Sequence, residues 1–373
     1  MTSTLRIAVV GVGNVGAVHA RELLLGKVSR ATLSAVCDPI PAMRARFPDV
    51  PGFSNHTELL ASGAADAVLV ATPHYDHTPI AIDALAAGVH VLVEKPLAVH
   101  KADCLRMIAA YDRRPSPAQV FAEMFSQRID PRFIKLRELI RGGELGRLRR
   151  INWITTDWFR TAAYYRSSAW RATWGGEGGG ILLNQCPHSL DSWQWLFGMP
   201  ARVRAFCGFG RFHEIEVEDQ VTAYLEYEDG TNGVFVASTG EAPGTNRLEV
   251  VGDLGKVVMG SRGLKFWRNS ASVRSFIERE PSGNTAPPFV VEDFELVALA
   301  SPRTTVIQNF TSAILEGDEL IAPASEGLAS VELANAMILS TITGQTVSLP
   351  LDPALYAAEL ARLVKASGHA NES

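Results

Sequence analysis

The chain has 373 residues, 47% of them apolar and 20% charged, which excludes a disordered or fibrous protein and gives room for two or three domains. With 35 basic against 40 acidic side chains the formal net charge is −5. That speaks against nucleic acid or an anionic membrane as the main partner, since both select a concentrated basic face.

No apolar run reaches the length of a membrane span without a charge, so no transmembrane helix is expected. The opening MTSTLRIAVV lacks the charged region and cleavage site of a secretory leader. Cys37, Cys104, Cys186 and Cys207 are scattered without CxxC spacing. Together these features predict a reduced, cytoplasmic enzyme with no metal site.

The first third of the chain alternates short apolar runs with amphipathic stretches. Strands are expected at Leu5–Val10, Ala31–Cys37, Asp66–Ala71, Val89–Glu94 and Ala118–Glu123, with helices near 14–26, 56–62, 76–87 and 100–112. Unbroken apolar strands imply burial on both faces, and strand–helix alternation implies a doubly wound parallel sheet. Residues 1–125 therefore read as a dinucleotide-binding α/β domain. From 126 the pattern changes: one helix (Pro131–Gly142), then long alternating runs separated by EDGTNG and GDLG, then helices near 303–316, 325–343 and 353–366. Residues 126–373 read as an α+β domain with a large open antiparallel or mixed sheet. EPSGNTAPP (Glu280–Pro288) is the expected flexible loop, and the polar tail from Ser367 is expected to be disordered.

GVGNVG (Gly11, Gly13, Asn14, Val15, Gly16) follows the first strand and opens the first helix. In that context GxGxxG has a mechanism. Gly11 permits the tight turn, Gly13 lets a pyrophosphate approach the backbone, and Gly16 lets helix and strand pack closely. The helix N-terminus adds unpaired N–H groups and the positive end of its dipole. The second strand ends in Asp38, whose carboxylate suits a ribose diol and repels a 2′-phosphate, and the next cation is Arg44. NAD is therefore favoured over NADP.

VHVLVEKPLA places Glu94, Lys95 and Pro96 at the C-terminal end of a buried strand, where ligands gather in such sheets. Proline restrains the backbone of Lys95. Desolvation and a nearby cationic nicotinamide would lower its pKa, so it could take the proton of an alcohol. A surface lysine paired with Glu94 is the alternative on spacing alone.

WGGEGGGILLNQCPHSLDSWQWLFGMP brings a glycine run into a helix. Leu183, Cys186, Leu190, Trp193 and Phe197 form a core stripe. Asn184, His188 and Asp191 recur by the same rule on another face, with Pro187 in the first turn of a helix beginning near Asn184. His188 could exchange a proton with a hydroxyl; a buried histidine satisfied by its neighbours is the competing reading. No GxSxG elbow or zinc ligand set is present.

Taken together, these motifs resemble the Gfo/Idh/MocA family of NAD(P)-dependent sugar and polyol oxidoreductases. Besides the glycine loop, ATPHYDHTPIAIDALAAGVHVLVEKPLA, FSQRIDPRF, LIRGGELG and GGGILLNQCPHSLD carry the likeness. The resemblance implies that Lys95 and His188 are the acid/base pair, with Asn184 standing where many relatives have aspartate. It implies Asp38 at the adenosine ribose, Glu94 beside lysine and cofactor, and Thr72, Pro73, His77 and Arg128 along the cofactor. It also implies homodimers or homotetramers through the C-terminal sheet.

The expected activity is oxidation of a secondary alcohol on a sugar, polyol, sugar acid or glycoside. An NADH-dependent keto-sugar reductase and a non-catalytic NAD-binding sensor are the alternatives. Lys95, Asn184 and His188 would hold the reacting hydroxyl. Trp158, Arg160, Tyr165, Trp170 and Arg171 would set substrate choice, because aromatic faces suit sugar rings and guanidinium forks suit hydroxyls or a carboxylate. For any one of them, packing at a sheet edge is the competing reading.

Overall fold

The computed structural model describes residues 4–297 and 299–367; the tail beyond Ser367 lies outside the described residues. The first sheet has six strands: β1 (Leu5–Val10), β2 (Ala31–Cys37), β3 (Gly52–Phe53), β4 (Ala67–Val70), β5 (His90–Val93) and β6 (Phe121–Glu123). All pairings are parallel, in the order β3-β2-β1-β4-β5-β6. The strand order reverses between β1 and β4, so a crevice opens beyond their carboxyl ends.

The strands are apolar throughout because helices cover both faces. On one face Ile7, Val9 and Leu69 meet Leu23 of the helix Asn14–Leu24. On the other, Val10, Val70 and Val93 meet Leu85 of His74–Ala86 and Met107 of Lys101–Asp112. The helix Pro302–Glu316, counted by the sequence reading with the second domain, buries Val306, Ile307 and Phe310 in the first of these cores. The first core therefore draws on chain far beyond residue 126.

The second sheet has nine strands: β7 (Leu148–Thr155), β8 (Arg202–Phe209), β9 (Glu218–Glu226), β10 (Asn232–Ser238), β11 (Asn246–Gly252), β12 (Gly255–Gly260), β13 (Gly263–Asn269), β14 (Phe289–Glu295) and β15 (Val347–Ser348). Their order is β14-β13-β12-β11-β7-β10-β9-β8-β15. β7 and β10 are parallel and the other pairs antiparallel, which makes the sheet mixed. The EDGTNG and GDLG signals are the β9–β10 and β11–β12 turns.

Alternation sorts the two faces. Ile151, Trp153, Leu225 and Phe235 are buried beneath the helices Pro187–Phe197 and Ala324–Thr343, while Ile154, Phe206 and Tyr224 are exposed on the opposite face. Sequence reading did not separate β13 and β14, nor the helix Val273–Arg279 between them. β14 is largely exposed, so no apolar alternation marks it. No described helix is long and apolar enough to cross a membrane.

Candidate active site

β1 and β4 deliver the two loops that line the crevice. Gly11 sits at φ +83°, and a Cβ there would lie 2.7 Å from the carbonyl oxygen of Ala71. A Cβ at Gly16 would come within 1.8 Å of the Gly11 carbonyl oxygen, so the first helix can dock only without a side chain. At Gly13 a Cβ would meet nothing within 4 Å, leaving open space above the loop.

The helix begins at Asn14 with neither a capping side chain nor an acidic residue in its first turn. Its leading N–H groups and dipole are therefore available to an anion. Asn14 and Val15 are exposed beside it. Thr72, in the β4 loop, has a buried hydroxyl with no hydrogen-bond partner among the described residues.

Asp38 is buried at the end of β2. Its carboxylate accepts from Val12 N (3.0 Å) and Ile40 N (2.9 Å), which fixes its orientation against the loop. Each carboxylate oxygen keeps a lone pair for a ribose hydroxyl. The crevice thus fits a dinucleotide by its donors, its cradle and its acid. Arg44 donates to the Asp38 carbonyl (2.5 Å) and Arg46 to the Val12 carbonyl (3.1 Å), so two guanidinium groups already lie at the acid's end of the crevice. Asp38→Ser is expected to weaken NAD and strengthen NADP, moving the ratio of their kcat/KM values by about tenfold or more. Unchanged ratios in steady-state assays with both cofactors would remove Asp38 from that choice.

Lys95 follows β5 and is joined to Pro96 by a cis peptide bond. Its ammonium donates to the backbone carbonyl of Asn184. Burial pushes its pKa down; Glu94 and Glu177 push it back, while Arg303 and Arg171 add to the fall. Glu94 accepts from His19 Nε2 at 2.7 Å. Burial would raise this carboxyl, but the His19 hydrogen bond and the charges of His19 and Lys95 outweigh it and hold it at about 2. Glu94 is therefore an ionised neighbour of the lysine, anchored to the cofactor-loop helix.

Sequence spacing placed Asn184 and His188 on one helix. The chain instead forms a short helix, Ile181–Asn184, and a second, Pro187–Phe197, with Pro187 at its first position. Proline lacks the N–H and clashes with a preceding turn, so the helix restarts there. Both residues still converge on Lys95. His188 is pushed down to about 3 by burial and by the charge of Lys95, so its imidazole is neutral. Its Nδ1 is buried without a partner among the described residues, and its ring stands edge-on to Phe125, with ring centroids 6.1 Å apart.

The glycine run positions this pair. A Cβ at Gly180 would lie 2.0 Å from the Glu218 carbonyl oxygen, and one at Gly178 2.1 Å from a Val99 methyl. The Glu218 carboxylate accepts from Gly180 N (2.9 Å) and Leu182 N (3.0 Å) and so ties the start of the short helix to β9. Glu177, in the middle of the run, is 2% exposed. It accepts from the Asn184 amide and from Ala172 N (2.6 Å), and Arg171 lies 3.8 Å away. His74 directs Nδ1 at the Glu177 carbonyl (3.0 Å). Sequence reading passed over Glu177, His74 and His19. The signal for Glu177 was a single carboxylate among five glycines.

Two of the expected cofactor residues are tied to protein groups. His77 faces the carbonyls of Pro96 (2.9 Å) and Thr72 (3.0 Å), so it braces the two loops against each other beneath Pro73. Arg128 is buried and spends its guanidinium on Asp191 (2.8 and 2.6 Å), the Ile321 carbonyl (3.1 Å) and Glu326. Asp191 is its fully buried ion-pair partner.

The expected substrate residues do gather. Arg171 lies over Trp170 at 4.5 Å and donates to the Tyr164 hydroxyl at 2.9 Å. Trp170 is edge-on to His74 at 5.4 Å. Arg160 lies 4.9 Å from the Tyr164 ring and 5.6 Å from that of Trp158. Tyr165 stands edge-on to Tyr164 at 5.2 Å, with its hydroxyl on Thr239 (2.9 Å) and its ring beside His213 (4.8 Å).

Residues 5–122 match the model of an oxidoreductase family with an NAD-binding Rossmann fold, and residues 133–258 match the GFO/IDH/MocA C-terminal domain. The chain belongs to the Gfo/Idh/MocA family. Like that family, it binds NAD at its Rossmann domain. It is 36% identical over 202 residues to an inositol 2-dehydrogenase of Corynebacterium glutamicum, covering 53% of this chain and 56% of that one. A second inositol 2-dehydrogenase, from Rhizobium meliloti, is 25% identical over 93% of this chain and 99% of its own. The chain spans about half the length of the first curated relatives it matches, from 44% to 56%. Among solved structures, the WlbA dehydrogenase of Bordetella pertussis in complex with NADH and UDP-GlcNAcA superposes with a TM-score of 0.77 at 26% identity, covering 94% of this chain and all of that one.

Proposed function

We propose that this Gfo/Idh/MocA protein oxidises a secondary alcohol of a sugar, polyol, sugar acid or glycoside to the ketone. The observation that carries the reading is that a half-buried amine, Lys95, hydrogen-bonded to the Asn184 carbonyl, and a half-buried neutral imidazole, His188, four residues on from Asn184, lie at the carboxyl edge of the NAD-binding sheet. Relatives named inositol 2-dehydrogenase and a nucleotide-sugar-bound dehydrogenase support the substrate class.

NAD, when bound, supplies the acceptor for the hydride that leaves the carbinol carbon. Lys95, in its neutral form, takes the hydroxyl proton. Burial favours that form because it disfavours the ammonium. His188, neutral and with Nδ1 unpartnered, holds the same hydroxyl and shares its proton. Trp170 and Arg171 offer a ring face and a fork to the rest of the sugar. Orientation of the alcohol between amine and imidazole is the protein's main contribution.

The test is a panel of inositols, aldoses, sugar acids and glycosides incubated with NAD, scored by absorbance of the reduced cofactor. At least one is expected to be turned over. A bound cofactor with no turnover across the panel would overturn the reading.

A further inference from the structure

The Lys95 ammonium meets the backbone carbonyl of residue 184, whose side chain is an amide and not a carboxylate. The charge is found one step away. Glu177 is held inside the glycine run, and both of its carboxylate oxygens accept hydrogen bonds, one from the Asn184 side chain and one from Ala172 N. Ala172 is one of only two non-glycine residues at positive φ among the described residues, at +59°. An alanine in that region is strained, and such strain persists where surrounding contacts over-determine it. The Glu177 carboxylate is one such contact, and it lies 3.8 Å from the guanidinium of the neighbouring Arg171. The same carboxylate fixes the Asn184 amide, whose backbone carbonyl holds Lys95. One buried side chain thus borders both the asparagine that holds the proton-handling lysine and the arginine of the sugar cluster.

We infer that Glu177 is a positioning residue for Lys95, acting through Asn184. The inference rests on the proposed oxidation. Around Lys95 the charged and titratable groups are Glu94 on its own loop, His74 from the helix His74–Ala86, Glu177 and Arg171 from the glycine-run segment, Cys186 and His188 at the start of the helix Pro187–Phe197, and Arg303 from the helix Pro302–Glu316. Of these, Glu94 and Glu177 favour the ammonium. When the alcohol proton moves to the Lys95 amine, the N–H bond formed leaves a positive charge that the Glu177 carboxylate stabilises.

Two readouts test this. In the cofactor-free full-length protein, competitive labelling of Lys95 with acetic anhydride across pH, read by mass spectrometry, reports its protonation directly. Glu177→Gln is expected to move the labelling midpoint down by about one pH unit, because a nearby opposite charge is lost. With an oxidised substrate, the rising limb of kcat is expected to move the same way, and Glu177→Gln/Asn184→Asp is expected to bring it back. Should Glu177→Gln fail to fold by circular dichroism, Glu177→Asp, which keeps the charge but withdraws it, is expected to shift the midpoint less in the same direction. A midpoint unchanged in the folded variant, with losses confined to KM, overturns the inference and leaves Glu177 as a brace for Arg171. A wild type with no turnover overturns the oxidation reading, while the labelling midpoint still decides the link to Lys95.

Discussion

Lys95→Ala is expected to lower NAD-linked oxidation by roughly 10²–10⁴-fold, the range over which a positioned general base contributes. The amine is the group best placed to take the alcohol proton, and burial keeps the His188 ring only weakly basic even without the lysine's charge. NAD affinity, followed by protein fluorescence, is expected to stay near that of the wild type, because the loop Gly11–Gly16, Asp38 and Thr72 are untouched. Lys95→Met should behave alike while keeping the packing. The sign of the pH dependence follows from the same group. Oxidation requires the neutral amine, so the wild-type rate should rise with pH through a value below the ordinary lysine 10.5, and ketone reduction should fall through it. A Lys95→Ala rate close to wild type on any substrate the wild type oxidises would remove the lysine from the chemistry.

Arg128→Met is expected to destabilise the fold by about 3–5 kcal/mol, the cost of leaving a buried charge without its partner. Asp191 is fully buried and receives two guanidinium hydrogen bonds, with Gln194 (3.0 Å) as its other donor. Glu326, the second acid on Arg128, has a side chain 45% exposed and can turn to water. Arg128 links the segment after β6 to the helices Pro187–Phe197 and Ala324–Thr343, so its loss should loosen that junction. Urea unfolding followed by fluorescence and circular dichroism measures the loss. The double variant Arg128→Met/Asp191→Leu should recover most of it, because a matched apolar pair pays no desolvation penalty. A single variant as stable as wild type would show the pair to be dispensable.

The two placements contrast in what their sequence signals contained. Gly11, Gly13, Gly16 and Asp38 lie in one strand–turn–helix unit and its partner strand, and each role follows from local backbone geometry. Lys95 was visible because a buried strand ends just before it. The ion pairs of Arg128 were not legible, because a motif near its position says nothing of what the guanidinium meets: Asp191 and Glu326 are 63 and 198 residues away. The single helix expected over Asn184 and His188 failed at Pro187. Helical periodicity was strong enough to hide a two-residue break.

From sequence alone came the two-domain α/β plan, the dinucleotide loop with its acid, and the lysine and histidine at the strand and helix ends. Those features rest on apolar periodicity and turn chemistry that repeat within a few residues. Tertiary structure alone decided that the helix Pro302–Glu316 completes the first core, that His77 and Arg128 brace the protein, and that Glu177 answers to Lys95 through Asn184. The physical reason is range: Lys95 meets Asn184 across 89 residues of chain and His74 meets Glu177 across 103. Hydrogen bonds of that span are set by how the two sheets dock, and no spacing rule along the chain encodes them.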